Sequence, residues 1–232
     1  MTNSKPRNAF TLVELLVVIG IIALLMGILF PAFSRAREQA RRVECASRLG
    51  QLAAVVHMYA NEHRGKVPPG NRDNNNEEHC IWLSQDAFDA FVSKLDNHKM
   101  LSCPHLQETQ PNYPVNNIGW VMGYDYLGGH VKLRDVAVND WLSPLQVSES
   151  GQPPIFCDMN DWSPTDGWTA IGHCKSGPGG FFLNTGGVSA KDYGSAGGNV
   201  AYLDGSVSWL DISALQEHQT YSGSATAYRG MW

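Results

Sequence analysis

Residues 15–33 read LLVVIGIIALLMGILFPAF, a run of nineteen residues without a charge. At about 1.5 Å per helical residue this run spans roughly 28 Å, which is about the thickness of one bilayer hydrocarbon core. A helix buried in a soluble core keeps a polar face, and this run has none. The stretch therefore predicts a transmembrane helix over residues 10–33.

The residues in front of this run differ from an ordinary secretory signal peptide. Lys5 and Arg7 supply a basic start, but the apolar run exceeds the usual length of about 7–15 residues, and no small-residue cleavage site follows it. A small residue, Ala9, instead precedes the run, within the sequence RNAFTLVELL of residues 7–16. We therefore expect cleavage before the apolar helix, so that the helix stays in the mature chain.

Residues 7–16 closely resemble the processing signal of type IV pilins and of type II secretion pseudopilins. In that family, prepilin peptidase cuts after a small residue, usually glycine, and the new N-terminal residue is methylated. The resemblance implies a leader peptide of residues 1–9, cleavage between Ala9 and Phe10, and N-methylation of Phe10. It also implies an assembly role for Glu14 and a helix kink at Pro31, where many pilins have a proline.

Glu14 also has a physical reason to be functional. A carboxylate in an apolar helix costs about 2.5 kcal/mol or more near the bilayer centre, so such a residue usually marks function. The expected partner is the amine of Phe10 on a neighbouring subunit, an opposite charge that is reached during assembly. The simpler alternative is that Glu14 lies in the headgroup zone at the end of the helix.

The flanking charges alone do not set the orientation of the span. Two basic residues and the α-amine precede it, whereas four arginines follow it, so the positive charges do not favour a cytoplasmic N-terminus. The cleavage signal must nevertheless face a cytoplasmic peptidase. We therefore expect a single-pass protein of the bacterial inner membrane with an extracytoplasmic head, which lies either in the membrane or in a cell-envelope or surface filament.

Helical periodicity continues after Phe33, and residues 34–65 form an amphipathic continuation of the helix. Its apolar face is predicted at Val43, Leu49, Leu52, Val56 and Tyr59. The pattern lacks the sustained heptads of a coiled coil. The helix is expected to end near residue 61, before a Gly- and Pro-rich segment, and its second half is expected to pack on the head.

Residues 66–232 predict an exported, pseudopilin-like globular head of short strands and long Gly-rich loops. Residues 86–95 predict a short amphipathic helix with an acidic start. Asp204-Gly205, flanked by alternating apolar residues, predicts a two-residue hairpin turn. The expected fold class is α+β, with a long N-terminal helix packed on an antiparallel β-sheet.

Three further segments of the chain extend the family resemblance. The segment from Cys45 resembles the C-x-x-N-L segment of families related to the major type II pseudopilin, with Arg48 in place of the asparagine. Cys103-Pro104 resembles a recurring Cys-Pro pair. The predicted hairpin resembles a processing-associated segment in which a histidine precedes Asp-Gly by nine intervening residues, but Gly194 stands at the histidine position, so no role of that histidine is transferred.

The five cysteines contain no C-x-x-C pair, which argues against a zinc ribbon or a thioredoxin motif. In an exported head, disulfides are expected, and proximity in the sequence favours the pairs Cys80–Cys103 and Cys157–Cys174. Buried free thiols are the alternative, and the odd count leaves at least one thiol unpaired within the chain.

Acidic residues of the head offer candidate ligands for calcium, the one cofactor that we consider. Pseudopilins of the major type II class bind calcium in a C-terminal loop, and hard oxygen ligands are clustered here at Asp158, Asn160, Asp161 and Asp166. The spacing does not match an EF-hand, and such clusters most often form turns.

His173-Cys174 could suggest a catalytic cysteine activated by a histidine, but the side chains of adjacent residues rarely face each other, so no enzymatic activity is expected.

Charge and composition restrict the partners. The formal net charge is -5, and residues 66–232 alone carry -9, which disfavours binding to nucleic acid.

The predicted function is that of a structural subunit of a type IV pilus-like or type II secretion pseudopilus filament, with roles in secretion or attachment. Its partners would be prepilin peptidase, other pilin-like subunits and the inner-membrane assembly machinery. The alternative is a membrane-anchored, non-polymerising protein whose tryptophans bind glycans or an envelope partner.

Overall fold

The computed structural model describes the larger part of the chain. The described residues are 12–72, 78–95, 98–104, 106, 114–115, 119–131, 133, 141–175, 177–220 and 228–232. The chain divides into two compact units, residues 1–40 and residues 41–232. Helix α1, Leu12–Glu62, contributes residues to both units.

The first part of α1 has the properties of a membrane span. Among the described residues, α1 is the one helix that is long and apolar enough to cross a membrane. Its large apolar side chains from Leu12 to Phe33 are 46–74% exposed, so they are not covered by the fold of this chain. Glu14 lies in the first turn and Pro31 lies inside the helix. Exposure of this apolar surface to water is unfavourable, so a membrane or neighbouring subunits would be expected to cover it.

The second part of α1, within the unit of residues 41–232, buries one face in the core. The buried side chains of this part are Cys45, Leu49, Leu52, Ala53, Val55, Val56 and Ala60. The predicted face is correct at its centre, but Val43 is 62% exposed, and Cys45 begins the buried face in its place. The helix ends at Glu62 because Arg64 and Gly65 adopt left-handed backbone conformations, and the Gly65 amide donates to Ala60 O at 2.8 Å.

The head contains thirteen strands among its described residues, together with two short α-helices and one 3-10 helix. The strands are β1 Gly70–Arg72, β2 Glu78–Leu83, β3 Pro114–Val115, β4 Gly119–Val121, β5 Tyr124–Tyr126, β6 Pro154–Asp158, β7 Asn160–Ser163, β8 Trp168–Cys174, β9 Gly177–Asn184, β10 Gly197–Tyr202, β11 Val207–Asp211, β12 Glu217–Gln219 and β13 Arg229–Met231. The helices are α2 Gln85–Lys94, η1 His98–Leu101 and α3 Ala190–Tyr193.

These strands form three antiparallel sheets. The strand orders are β1-β2-β4-β3, β11-β10-β6-β5 and β12-β13-β7-β8-β9. The expected α+β class, with a long N-terminal helix and antiparallel sheets, is therefore confirmed. In the sheet β11-β10-β6-β5, β10 pairs with β6, and the two strands place Asn199 beside Asp158.

The predicted short helix is present as α2. Ser84 caps its N-terminus by accepting a hydrogen bond from the Ala87 amide at 3.1 Å, and its apolar face buries Ala87 and Phe91. Phe91 packs edge-on against Tyr126 and Phe156, with ring centroids 5.7 Å away in each case. These rings belong to the main hydrophobic core, which also contains the buried face of α1.

The predicted hairpin is formed by β10 and β11, but its turn differs from the prediction. The Gly205 amide donates to Tyr202 O, and the Tyr202 amide donates to Ser206 O, each at 2.9 Å. Gly205 has a φ of +84°, whereas Asp204 is not among the residues with positive φ. The loop is therefore a three-residue turn with one left-handed glycine, and the prediction of a two-residue turn was wrong.

Candidate functional site

The residues expected to act in processing lie at the N-terminal edge of the described chain. Ala9 and Phe10 lie outside the described residues. Glu14 is described, in the first turn of α1, with an exposed side chain. Pro31 lies within a continuous α1, and its predicted kink stays a prediction.

Within the head, four side chains from separate segments converge on one buried point. One ligand atom from each of Cys45, Cys103, Asp158 and His173 lies within 4.8 Å of the other three. The two sulfur atoms are 3.3 Å apart, and His173 Nε2 lies 3.3 Å from Asp158 Oδ2. All four residues are at most 2% exposed. We call this group the Cys–Cys–Asp–His cluster.

Arg48 brings the two cysteines of the cluster together. Cys45 lies on α1, and Cys103 follows η1. One turn along α1 from Cys45, Arg48 Nη1 donates to Ser102 O at 2.6 Å and to Lys99 O at 3.0 Å. These two bonds fix the segment before Cys103 to the helix. The departure from the family asparagine at Arg48 thus has a structural role in this chain.

Asn199 holds the carboxylate of the cluster. Asp158 is the last residue of β6, and its Oδ2 accepts hydrogen bonds from both the backbone amide and the Nδ2 of Asn199, each at 2.7 Å. The same Nδ2 donates to Arg42 O at 3.1 Å, which ties α1 to the strand. The other oxygen, Asp158 Oδ1, is buried and has no hydrogen-bond partner among the described residues.

His173 completes the cluster from β8. Its ring packs edge-on against Trp209, with centroids 5.3 Å apart, and the Arg42 guanidinium covers the same indole at 3.9 Å. Burial opposes a charge on His173, but hydrogen bonds and charge attraction from Asp158 and Cys45 prevail and raise its pKa to about 10. The hydrogen bond with Cys103, together with burial, raises the pKa of the Cys45 thiol far above its ordinary value.

The composition of the cluster decides which chemistry it can support. It holds the sulfur atoms of Cys45 and Cys103 next to a buried pair of His173 and Asp158. Two sulfurs, one imidazole nitrogen and one carboxylate oxygen are also ligands that a divalent metal of the zinc class accepts. The sequence contained each residue, but it gave no local spacing that joins positions 45, 103, 158 and 173, so this convergence was missed.

The structure does not form the predicted disulfides Cys80–Cys103 and Cys157–Cys174. All five cysteines are described and buried, and none of them forms a disulfide within the chain. Cys103 lies against Cys45, a residue 58 positions away in the chain, whereas Cys80 belongs to a second hydrophobic core with Cys157 and Cys174. Proximity along the sequence was the wrong guide, because long-range packing decides which thiols meet.

The calcium candidates do not converge either. Asp158 belongs to the Cys–Cys–Asp–His cluster, and Asn160 Oδ1 accepts a hydrogen bond from Ser195 Oγ at 2.5 Å. Asp161 lies near Asp125, and Asp166 is exposed in a turn, where its Oδ2 accepts from Ser163 at 3.1 Å. Alternate residues of β6 and β7 have separate partners, so the run of oxygen ligands in the sequence does not build one cation site.

A second buried polar group surrounds Asp125. Burial raises the pKa of Asp125 to about 6, and it raises that of Asp161 well above its ordinary value, because two carboxyls lie together in the core. Cys157 Sγ donates to Asp125 Oδ2 at 3.4 Å. The pair therefore binds protons more tightly in the folded head than in the unfolded chain, and this links the stability of the head to pH.

The other features considered from the sequence have structural explanations. His173 faces the cluster, and Cys174 belongs to the second core, since adjacent residues of a strand point to opposite faces. All seven tryptophans are described, and each is buried or half-buried. A groove of about 420 Å³ is lined by Trp141 and Trp232, but both indoles are only 7% exposed. They therefore form core rather than an open platform for a glycan.

Comparison with known proteins gives one match, at the N-terminus. Residues 4–30 match the prokaryotic N-terminal methylation motif. No curated protein matches the chain, and no solved structure does. The motif and the apolar helix that overlaps it fit a single-pass, membrane-anchored protein. The N-terminal segment thus carries a prepilin-type methylation motif, which supports a prepilin-type protein of the type IV pilin-like and pseudopilin class.

Proposed function

We propose that this protein is a structural subunit of a type IV pilus-like or type II secretion pseudopilus filament. The observation that carries the proposal is the methylation motif at residues 4–30, together with the apolar helix that it overlaps, whose side chains the chain itself leaves exposed. Such a surface suits two successive environments, a bilayer before assembly and a bundle of identical helices after it. The pilin-like family is structural, and the protein would accordingly act by assembly rather than catalysis.

Processing would precede assembly. Prepilin peptidase would remove residues 1–9 by cutting between Ala9 and Phe10, and Phe10 would then be methylated. The new N-terminus would keep its positive charge next to the membrane. The site has to be cytoplasmic, so the head would be extracytoplasmic, and the protein would start as a single-pass component of the bacterial inner membrane.

Glu14 would then direct assembly. Its carboxylate lies in the first turn of α1, at the edge of the apolar run. In the apolar environment of a filament, the most favourable partner is an opposite charge, and the amine of Phe10 on a neighbouring subunit supplies one. The pairing would set the axial offset between subunits, which the inner-membrane assembly machinery would add one at a time.

Replacement of Glu14 tests the assembly step. We expect Glu14→Ala to accumulate in the membrane, processed at Phe10, but to be missing from fibres sheared off the cell. Glu38→Ala, a glutamate of the same helix outside the apolar run, is the matched control and should enter fibres normally. Incorporation of Glu14→Ala at the wild-type level would refute the role of Glu14. Wild-type protein found only as membrane-bound monomer would refute the filament and favour a membrane-anchored binding protein.

A further inference from the structure

We propose that the Cys–Cys–Asp–His cluster is a structural site for a divalent cation of the zinc class. Its ligands would be Cys45 Sγ, Cys103 Sγ, a carboxylate oxygen of Asp158 and His173 Nε2. The site would lie entirely within the unit of residues 41–232, and it does not depend on filament assembly.

The distances suit a tetrahedral ion. With metal–ligand bonds of about 2.0–2.3 Å, the ligand atoms of a tetrahedral zinc site lie about 3.3–3.8 Å apart. The sulfur atoms of Cys45 and Cys103 are 3.3 Å apart, and His173 Nε2 is 3.3 Å from Asp158 Oδ2. The two sulfurs would move slightly apart, and any pair of ligand atoms as far as 4.8 Å apart would move closer, so that four protein ligands fill the coordination of the ion.

The carboxylate carries a second, independent indication. Asp158 Oδ2 accepts two hydrogen bonds from Asn199, whereas Oδ1 is buried with no hydrogen-bond partner among the described residues. A buried, unsatisfied carboxylate oxygen is costly, and a cation is the strongest partner that it can gain. Asn199 would act as a positioning residue, because it orients the carboxylate without contacting the metal.

A disulfide between Cys45 and Cys103 is the competing outcome in an exported head. It would use only the two sulfurs. It would give no reason for a histidine and an oriented carboxylate to lie within 4.8 Å of them in a core that could hold apolar side chains instead. The complete set of four donors therefore favours the cation.

The cation would join four separate segments of the head. Cys45 belongs to α1, Cys103 follows η1, Asp158 ends β6 and His173 lies on β8. Thiolate and neutral imidazole are the forms that bind a metal ion, so binding would release to solvent any protons that these ligands carry. The result would be a fixed attachment of the amphipathic part of α1 to the sheets that it packs on.

Metal analysis of the full-length protein in detergent tests the site, with Zn²⁺ and Co²⁺ as probes. After reduction and chelation, the wild type should bind about one Zn²⁺ per chain. Co²⁺ in its place should show the absorption of a tetrahedral thiolate site. Cys103→Ser should abolish stoichiometric binding, whereas Cys80→Ala, which removes a buried thiol of the second core, should retain it. Asn199→Ala should lower the affinity for Zn²⁺ about 10–100-fold.

A measurement on the wild type keeps the test valid if a variant fails to fold. Zn²⁺ should slow the alkylation of Cys45 and Cys103 at least about tenfold while leaving that of Cys80 unchanged, because bound thiolates are not free to react. Failure of the reduced wild type to bind Zn²⁺ would overturn the proposal, as would equal binding by Cys103→Ser. Protein from the cell envelope that contains a Cys45–Cys103 disulfide and no zinc would also overturn it.

Discussion

Neutralising Asp125 should stabilise the head, and it should do so more strongly as the pH rises. Burial raises the pKa of Asp125 from 3.8 to about 6, so the folded protein holds a proton that the unfolded chain releases. The resulting stability is fully present below pH 3.8 and is lost as the pH rises through about 6. Asp125→Asn copies the protonated form and can still accept the hydrogen bond from Cys157, so it escapes this loss.

The two pKa values give the size of the effect. A shift of about two units at 1.36 kcal/mol per unit corresponds to about 3 kcal/mol in total. Between about pH 4 and about pH 7.5, the free energy of unfolding of Asp125→Asn should rise relative to that of the wild type by about 2.5 kcal/mol. Taking the difference between the two proteins cancels the titration of the shared groups that do not interact with Asp125, whereas its neighbour Asp161 also contributes to the difference.

Urea denaturation of the full-length protein in detergent, followed by near-UV circular dichroism across this pH range, measures that difference. Asp89→Asn is a matched control, because it makes the same change of side chain at an exposed position on α2. A constant difference between Asp125→Asn and the wild type at all pH values would refute the reasoning. It would mean that Asp125 is ionised in the folded head at no cost.

Three further predictions concern other parts of the head. His130→Gln should show the opposite pH dependence, because burial lowers the pKa of His130 to about 4 despite its hydrogen bond with Tyr126 O. Between about pH 7.5 and about pH 4, the free energy of unfolding of the wild type should fall by about 3 kcal/mol relative to that of the variant. An equal pH dependence of the two proteins in urea titrations would contradict this. Asn199→Ala removes a donor to both Asp158 and Arg42 and should lower the free energy of unfolding by about 1.5–3 kcal/mol, whereas a loss below about 0.5 kcal/mol would show that the backbone amide alone holds the carboxylate. Phe91→Ala empties a fully buried position and should cost about 3–5 kcal/mol, clearly more than Phe88→Ala, whose ring is half-buried against Trp120; an equal cost would contradict the position of the core.

Features with a strong local pattern could be predicted from the sequence. The apolar run of residues 15–33 predicted a membrane-spanning helix, and the continuation to Glu62 followed from its periodicity. Helix α2 followed from its acidic start and its apolar spacing. Each of these features depends on neighbours within a few turns of a helix, and such neighbours are fixed by the order of residues alone.

Features that depend on long-range packing could not be predicted in this way. Cys45 and Cys103 approach because Arg48 fastens the segment after η1 to α1, and no short motif encodes that contact. From the sequence, Asp158 was predicted to lie in an acidic turn, but the pairing of β6 with β10 brings its side chain to Asn199. Chemistry assigned from spacing was therefore wrong where residues distant in the chain supply the partners.

The turn of the β10–β11 hairpin shows a finer limit. Asp-Gly correctly located the turn, but the same dipeptide fits both a two-residue loop and a three-residue loop with a left-handed glycine. The register, Ala201 opposite Val207, selects the longer loop. Strand pairing across the whole sheet decided this geometry, and the two turn residues did not.

Mass spectrometry of the mature N-terminus tests the central claim most directly. The protein should be purified from membranes of cells that contain prepilin peptidase, and its N-terminal peptide should be sequenced. A chain that begins at methylated Phe10, with residues 1–9 removed, is the predicted result. A chain that still begins at Met1, or that is cleaved after the apolar run of residues 15–33, would contradict the assignment of this protein as a processed, assembling prepilin.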